Sequence, residues 1–381
     1  MYKIQEIFTK SYDKYCEQYQ PTQVQDKAAY CIMNCKTGAL GQNISICDDC
    51  GHMEIHNNSC KNRNCPCCQT VTKELWIDKR KSEVIDSPYF HVVFTIPAEL
   101  NPLVYCNQSL LYALLHKCVS RTLLELCESK NHLGATPGII QILHSNGSKL
   151  NFHPHIHCII SGSGLTKDKQ FKKGKSKFFI AESILGRKFR GKFLAMLNEL
   201  YLQNQLVFSS SCSKLQNAYN WNEFRNSLYN KDWIPHAKET FNGFGNAIDY
   251  LGRYTHKVAI SNSRIKKVTD TEVTYEYKNY KTKKNELVTV SHVEFIRRFL
   301  MHILPKGFQK IRYYGFLNNR YKKINLALIS KLTGKTLFKS KYQNASMSEI
   351  LQSLFNINIQ HCANCGNDHL RYLGRSYQML V

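Results

Sequence analysis

Asn151-Phe152-His153-Pro154-His155-Ile156-His157-Cys158-Ile159-Ile160 decides how this chain is read. At a strand's period of two, His153, His155 and His157 share one face, while Phe152, Ile156, Cys158 and Ile160 share the other. Two imidazoles two residues apart on a stiff strand set their ring nitrogens side by side, a ready edge for a metal ion. A lone strand histidine usually meets only solvent or core. Three within five residues of an apolar strand point to ligation.

Working outward, Gly138 to His144 reads as a strand and Ser145 to Ser148 as a turn, so the chain returns through the histidine strand as a hairpin. That hairpin brings His144 near the metal edge as a third ligand, with Gln141 and His153 competing for the role. Gly162 and Gly164 are expected to end the strand. Tyr89 to Pro97 reads as a buried strand closed by proline. Gln108 to Glu128 reads as a helix with Leu110, Leu111, Leu114, Leu115 and Leu123 as its apolar stripe. Residues 1 to about 34 are helical by the spacing of Ile4, Ile7, Phe8, Tyr12, Tyr15 and Tyr19, and this face serves packing.

Cys47-Asp48-Asp49-Cys50-Gly51 and Cys65-Pro66-Cys67-Cys68 are two CxxC units. Each turn aims two thiolates at one point, and the spacing predicts one tetrahedral structural zinc site of Cys47, Cys50, Cys65 and Cys68. Cys60, Cys67, His52 and His56 lie close enough in sequence for a ligand swap or a second metal. A third unit, Cys362-Ala363-Asn364-Cys365-Gly366, cannot fill a site alone; His361 or His369 completes it, or it folds back on the N-terminal cysteines.

Lys and Arg outnumber Asp and Glu by 52 to 28, giving a net charge of +24. The excess is clustered: Phe295 to Ser348 holds twelve Lys/Arg and no acidic residue. That points to a polyanionic partner, nucleic acid before an anionic membrane surface. The first residues show no apolar stretch of the kind a secretory signal needs, and no run approaches a bilayer span. The sixteen cysteines are therefore expected to be metal ligands and buried thiols in a reducing cytoplasm.

A helix is expected after Gly245, placing Tyr250 and Tyr254 one turn apart on one face with Arg253 and Lys257 beside them as a phosphate-facing strip. Further on come a hairpin (Glu272 to Tyr280, then Leu287 to Val293) and a basic amphipathic helix carrying Arg297 and Arg298. Gly307 to Phe316 interleaves Arg312 and other cations with aromatic rings, which suits nucleic-acid strands: cations track phosphates and rings stack on bases.

The order of these parts resembles the rolling-circle insertion-sequence transposases with a His-hydrophobic-His motif and two tyrosines, the insertion-sequence ninety-one group. The resemblance covers most of the chain and rests on Cys35 to Gly41, Asn62 to Pro66, Phe90 to Pro97, Phe152 to Cys158, Tyr250 to Ser261, Phe295 to Phe299 and Arg312 to Phe316. Gly41-Gln42-Asn43 departs from the expected Gly-Gly-His. The resemblance implies an α+β fold: an antiparallel-sheet HUH endonuclease core, a small N-terminal zinc-binding domain and a basic C-terminal region. The boundaries expected are 1–85, 86–265 and 266–381.

It further implies that His155, His157 and His144 hold Mg²⁺ or Mn²⁺, that Tyr250 and Tyr254 are nucleophiles, and that cysteines hold Zn²⁺. The substrate implied is single-stranded DNA at transposon ends, cut and rejoined through a 5′-phosphotyrosine. No GxxxxGK[ST] pattern occurs, so unwinding is expected from a host helicase. The rival readings are a plasmid rolling-circle replication initiator or relaxase, a non-catalytic zinc-dependent DNA-binding protein, and an inactive domesticated transposase.

Overall fold

The structure is a computed structural model that describes residues 3–174, 180–209, 211–239, 252, 259–279 and 282–376. The chain forms two units, one from Met1–Ser82, His256–Ile303 and Lys339–Val381, the other from Glu83–Thr255 and Leu304–Phe338. Helices and antiparallel sheets make up both, an α+β architecture without a closed barrel among the described residues.

In the first unit, α1 (Lys3–Gln18) and α2 (Gln23–Asn34) form a helical pair. Ile4, Ile7, Phe8, Tyr12 and Tyr15 recur at helical spacing on α1 and are all buried. Thr22 and Gln25 start α2 with a capping box, each side chain bonding the other's backbone N–H. The helix His292–Leu300 packs on α1, Phe299 meeting Phe8 edge to face with ring centroids 5.3 Å apart. Cys47 ends β1 (Gln42–Cys47), which pairs with β2 (Met53–Asn57). The helix α3 (Gln69–Lys81) follows.

The second unit holds a sheet whose strands lie in the order Ile311–Gly315, Thr136–Asn146, Phe152–Leu165, Tyr89–Thr95 and His236–Glu239. It begins with β3 (Tyr89–Thr95), followed by the helices α4 (Asn101–Cys106) and α5 (Gln108–Glu128). The hairpin β4 (Thr136–Asn146) and β5 (Phe152–Leu165) comes next, and β6 (Phe171–Lys173) pairs with the end of β5. The helices α6 (Glu182–Leu202) and α7 (Ala218–Tyr229) precede the edge strand β7 (His236–Glu239). Val92, Phe94, Leu143, Ile156, Cys158 and Ile160 project from one sheet face into a core shared with Leu111 and Leu115 of α5 and Phe189 and Phe193 of α6.

In the first unit, β8 (Ile265–Val268), β9 (Glu272–Lys278) and β10 (Asn285–Ser291) form an antiparallel meander. The stretch 266–381, expected as a basic C-terminal region, contributes segments to both units. Its segment β11 (Ile311–Gly315) hydrogen-bonds to β4 at the sheet edge, while β12 (Leu370–Ser376) pairs with β1. Gly162 and Gly164, expected to end β5, lie within it. A Cβ on Gly164 would stand 2.4 Å from the Thr136 carbonyl oxygen, so glycine there permits close strand approach.

Candidate metal centres

Alternation along β5 sends His155 and His157 to the sheet face opposite the core, and β4 sets His144 directly across from His155. One ring nitrogen from each of His144, His155 and His157 lies within 4.8 Å of the others. His155 Nε2 and His157 Nε2 are 3.1 Å apart. Two nitrogens held at about 2.1 Å from one ion, at angles between square and tetrahedral, stand about 3.0–3.4 Å apart, so the spacing fits a shared ion.

The tautomers fit as well. His155 Nδ1 lies 2.7 Å from the His153 carbonyl oxygen, which only accepts, so Nδ1 carries the proton and Nε2 offers its lone pair. His157 Nδ1 lies 2.9 Å from His91 Nε2, with the two rings nearly parallel. With His157 Nε2 as ligand, Nδ1–H donates to His91, the outer hydrogen bond that fixes a ligating imidazole. Burial pushes His155 and His91 down to about 4, which keeps both rings in the neutral form that ligation requires. All three candidate ligands are buried side chains, yet three imidazoles leave positions open on an ion.

The competing third ligands go elsewhere. Gln141 points to the core face, its amide 2.9 Å from His116 Nδ1. His153 contributes its carbonyl to His155 and stays outside the trio. His91 was missed in the sequence, where it reads as one polar residue in a buried strand. The available signal was its place on the alternating face of β3, two residues before Val93, which pairs with His157.

The sixteen cysteines divide differently from expectation. Cys35, Cys60, Cys65 and Cys68 form one group of four, and Cys47, Cys50, Cys362 and Cys365 another, with the sulfurs of each group within 4.8 Å of one another. The four cysteines expected in one group, Cys47, Cys50, Cys65 and Cys68, therefore fall in two different groups. The cause is local: Cys47 and Cys50 sit at the β1 turn, whereas Cys65 and Cys68 precede α3, where the end of α2 brings the Cys35 sulfur 3.3 Å from that of Cys68. Cys60 takes the ligand swap that its position allowed, its sulfur 3.6 Å from that of Cys68, and Cys67 belongs to neither group. Tetrahedral zinc at about 2.3 Å from each sulfur sets sulfurs about 3.8 Å apart, so both groups fit four-thiolate zinc.

Of the residues expected on DNA, Arg297 and Arg298 both donate to Glu294, at 2.6 and 2.7 Å. The Arg312 guanidinium lies 5.2 Å from the centre of the Phe308 ring. Tyr250, Arg253, Tyr254 and Lys257 lie outside the described residues. Among the described residues, no helix is long and apolar enough to cross a membrane.

Two family descriptions match the chain: "Putative transposase" over residues 138–325 and "Transposase zinc-binding domain" over residues 7–96. A relative in Sinorhizobium fredii, described in the same first words and named y4qJ, is 38% identical over 88% of this chain and 85% of its own. The transposase for insertion sequence element IS801 from Pseudomonas savastanoi pv. phaseolicola is 29% identical over 76% of this chain and 69% of its own. No solved structure matches.

Proposed function

The chain belongs to the IS91 family of transposases with an N-terminal zinc-binding domain, and from that premise we propose that it nicks and rejoins single-stranded DNA at element ends through a 5′-phosphotyrosine. The observation that carries this reading is the convergence of His144, His155 and His157 on one sheet face, with His91 behind His157. These three histidines would hold Mg²⁺ or Mn²⁺; imidazole favours Mn²⁺ in affinity and cellular abundance favours Mg²⁺. When bound, such an ion neutralises phosphate charge and polarises phosphorus toward attack.

Tyr250 or Tyr254 supplies the nucleophile. Its phenolic oxygen bonds to phosphorus, its proton passes to solvent, and the 3′ oxygen leaves as a free hydroxyl. The phosphotyrosine keeps the energy of the broken linkage, so a later 3′-hydroxyl reseals the strand without ATP. Two tyrosines let one hold the first end while the other cuts a second strand. Arg253, Lys257 and Arg312 would track the phosphates, and a host helicase would supply the single strand.

The test is a denaturing gel of the full chain with labelled single-stranded element ends in Mn²⁺, Mg²⁺ or EDTA. A metal-dependent covalent adduct that survives denaturation, and disappears in the Tyr250→Phe/Tyr254→Phe double variant, is expected. Binding without any adduct in either metal would sink the proposal and leave a zinc-dependent DNA-binding protein.

A further inference from the structure

The family's zinc-binding match ends at residue 96, yet two of the four sulfurs in the second cysteine group come from positions 362 and 365. We propose that Cys47, Cys50, Cys362 and Cys365 bind a second structural zinc ion, which fastens the C-terminal tail into the N-terminal zinc domain. The proposal does not rest on the nicking chemistry.

The two knuckles are built alike. Each is Cys-x-x-Cys-Gly, and the glycines take left-handed backbone, φ +69° at Gly51 and +78° at Gly366. In each, the glycine N–H donates to the first cysteine's carbonyl, Gly51 to Cys47 at 2.9 Å and Gly366 to Cys362 at 3.0 Å. In each, the first cysteine's N–H bonds the carbonyl just past the glycine, Cys47 to His52 at 2.9 Å and Cys362 to Asn367 at 2.8 Å. Two copies of one thiolate-presenting turn face each other.

Across the gap, Cys47 Sγ is 3.6 Å from Cys365 Sγ and Cys50 Sγ is 3.7 Å from Cys362 Sγ. Both distances agree with the sulfur spacing of about 3.8 Å on tetrahedral zinc. Contacts besides those between sulfurs hold the knuckles in place. Asn364 donates to Cys50 Sγ at 3.6 Å, the Ala363 N–H donates to Glu54 at 2.8 Å, and Asn367 donates to Asp49 at 3.0 Å. β12 then runs antiparallel along β1, with Leu370 opposite Cys47, so both knuckles cap one end of the β12-β1-β2 sheet. This is the layout of a zinc ribbon, with one knuckle drawn from each end of the chain.

Four soft thiolates with no carboxylate or imidazole select zinc over the hard ions suited to the histidine site. Each thiol gives up its proton as it ligates, so four protons leave for each zinc bound. Because the ligands are 312 residues apart in sequence at Cys50 and Cys362, the ion closes a loop that contains the whole second unit.

The experiment is elemental analysis of the full chain beside Cys362→Ser/Cys365→Ser. The double variant is expected to hold one zinc fewer per chain, and trypsin is expected to release the tail beyond Lys341 from it at least tenfold faster. Equal zinc contents would overturn the proposal, as would iron in place of that zinc. Should the variant fail to fold, thiol alkylation of the wild-type chain decides. Protection of Cys362 and Cys365 until a chelator is added supports the site; alkylation at the rate of exposed Cys16 refutes it.

Discussion

The sulfur groups and the histidine group are both candidate sets of metal ligands, but they are built for opposite ends. Each sulfur group supplies four ligands, enough to close a tetrahedron, drawing them from separate loops and strand ends. The histidine group supplies three, from adjacent strands of a sheet whose register is set by backbone hydrogen bonds. A filled shell fixes the fold, whereas a partly filled one leaves room for a phosphate oxygen. Metal removal should therefore unfold the first region and merely silence the second.

The sharpest way to break this contrast is a pair of variants. His157→Ala is expected to lower nicking by about 1000-fold, the several kcal/mol of charge stabilisation lost with an ion, while the melting temperature stays within a few degrees. Cys65→Ser should instead lose a zinc and melt the first unit, read as lost helical circular dichroism at 37 °C. A histidine variant that melts like the cysteine variant would end the distinction.

A smaller effect is expected at His91, which touches a ligand and not the reacting atoms. His91→Phe should weaken Mn²⁺ affinity about 10- to 100-fold, the usual cost of losing such an outer hydrogen bond. Saturating Mn²⁺ should restore most of the nicking rate, and His91→Gln should retain more affinity than His91→Phe. A rate that no metal concentration restores would place His91 in the chemistry itself.

Acid should separate the regions more gently. Burial pushes His91 and His155 down to about 4 and His116 to about 3, against about 6.5 in the unfolded chain. Between those values the unfolded chain binds protons that the folded one does not, so stability falls as pH drops from about 6.5 toward 4. In EDTA, the fluorescence of the buried Trp221 and Trp233 should report a melting temperature that declines through that window. A flat profile from pH 7 to 5 would mean the rings are not held neutral by burial.

The smallest effect concerns charge. Arg312→Ala should reduce the salt slope of single-stranded DNA binding by about 1, one phosphate contact. Arg297→Ala should change it less, because Glu294 already engages that guanidinium at 2.6 Å. Equal slopes for the two would remove the basis for ranking them.

What the sequence made legible followed from short-range patterns. The α5 stripe, the β4–β5 hairpin and the histidine face all follow from periods of 3.6 and 2 within one element or two neighbours. The cysteine partition was not legible, because CxxC spacing tells which thiolates share a turn and not which turns meet. Cys35 belongs to no CxxC unit, and Cys362 comes to Cys50 through the pairing of strands far apart in sequence. β11 was hidden for a related reason: Arg312 and Tyr314 read as ligand-binding residues, yet their register against Gln141 and Ile139 makes them part of the sheet. His91 fell between, since strand periodicity gave its face and only pairing gave its neighbour.

The interleaving of the two units also sets an order of events on the ribosome. Residues 83–338 emerge completely while the first unit still lacks its last segment. The second sulfur group cannot assemble until Cys362 and Cys365 have been synthesised. A nascent chain abandoned before that point holds all three histidines of the sheet but only two sulfurs of the second group, with strand β1 lacking β12 along one edge. Synthesis past Cys365 and β12 is thus the step at which the second sulfur group and the second edge of β1 can first be filled.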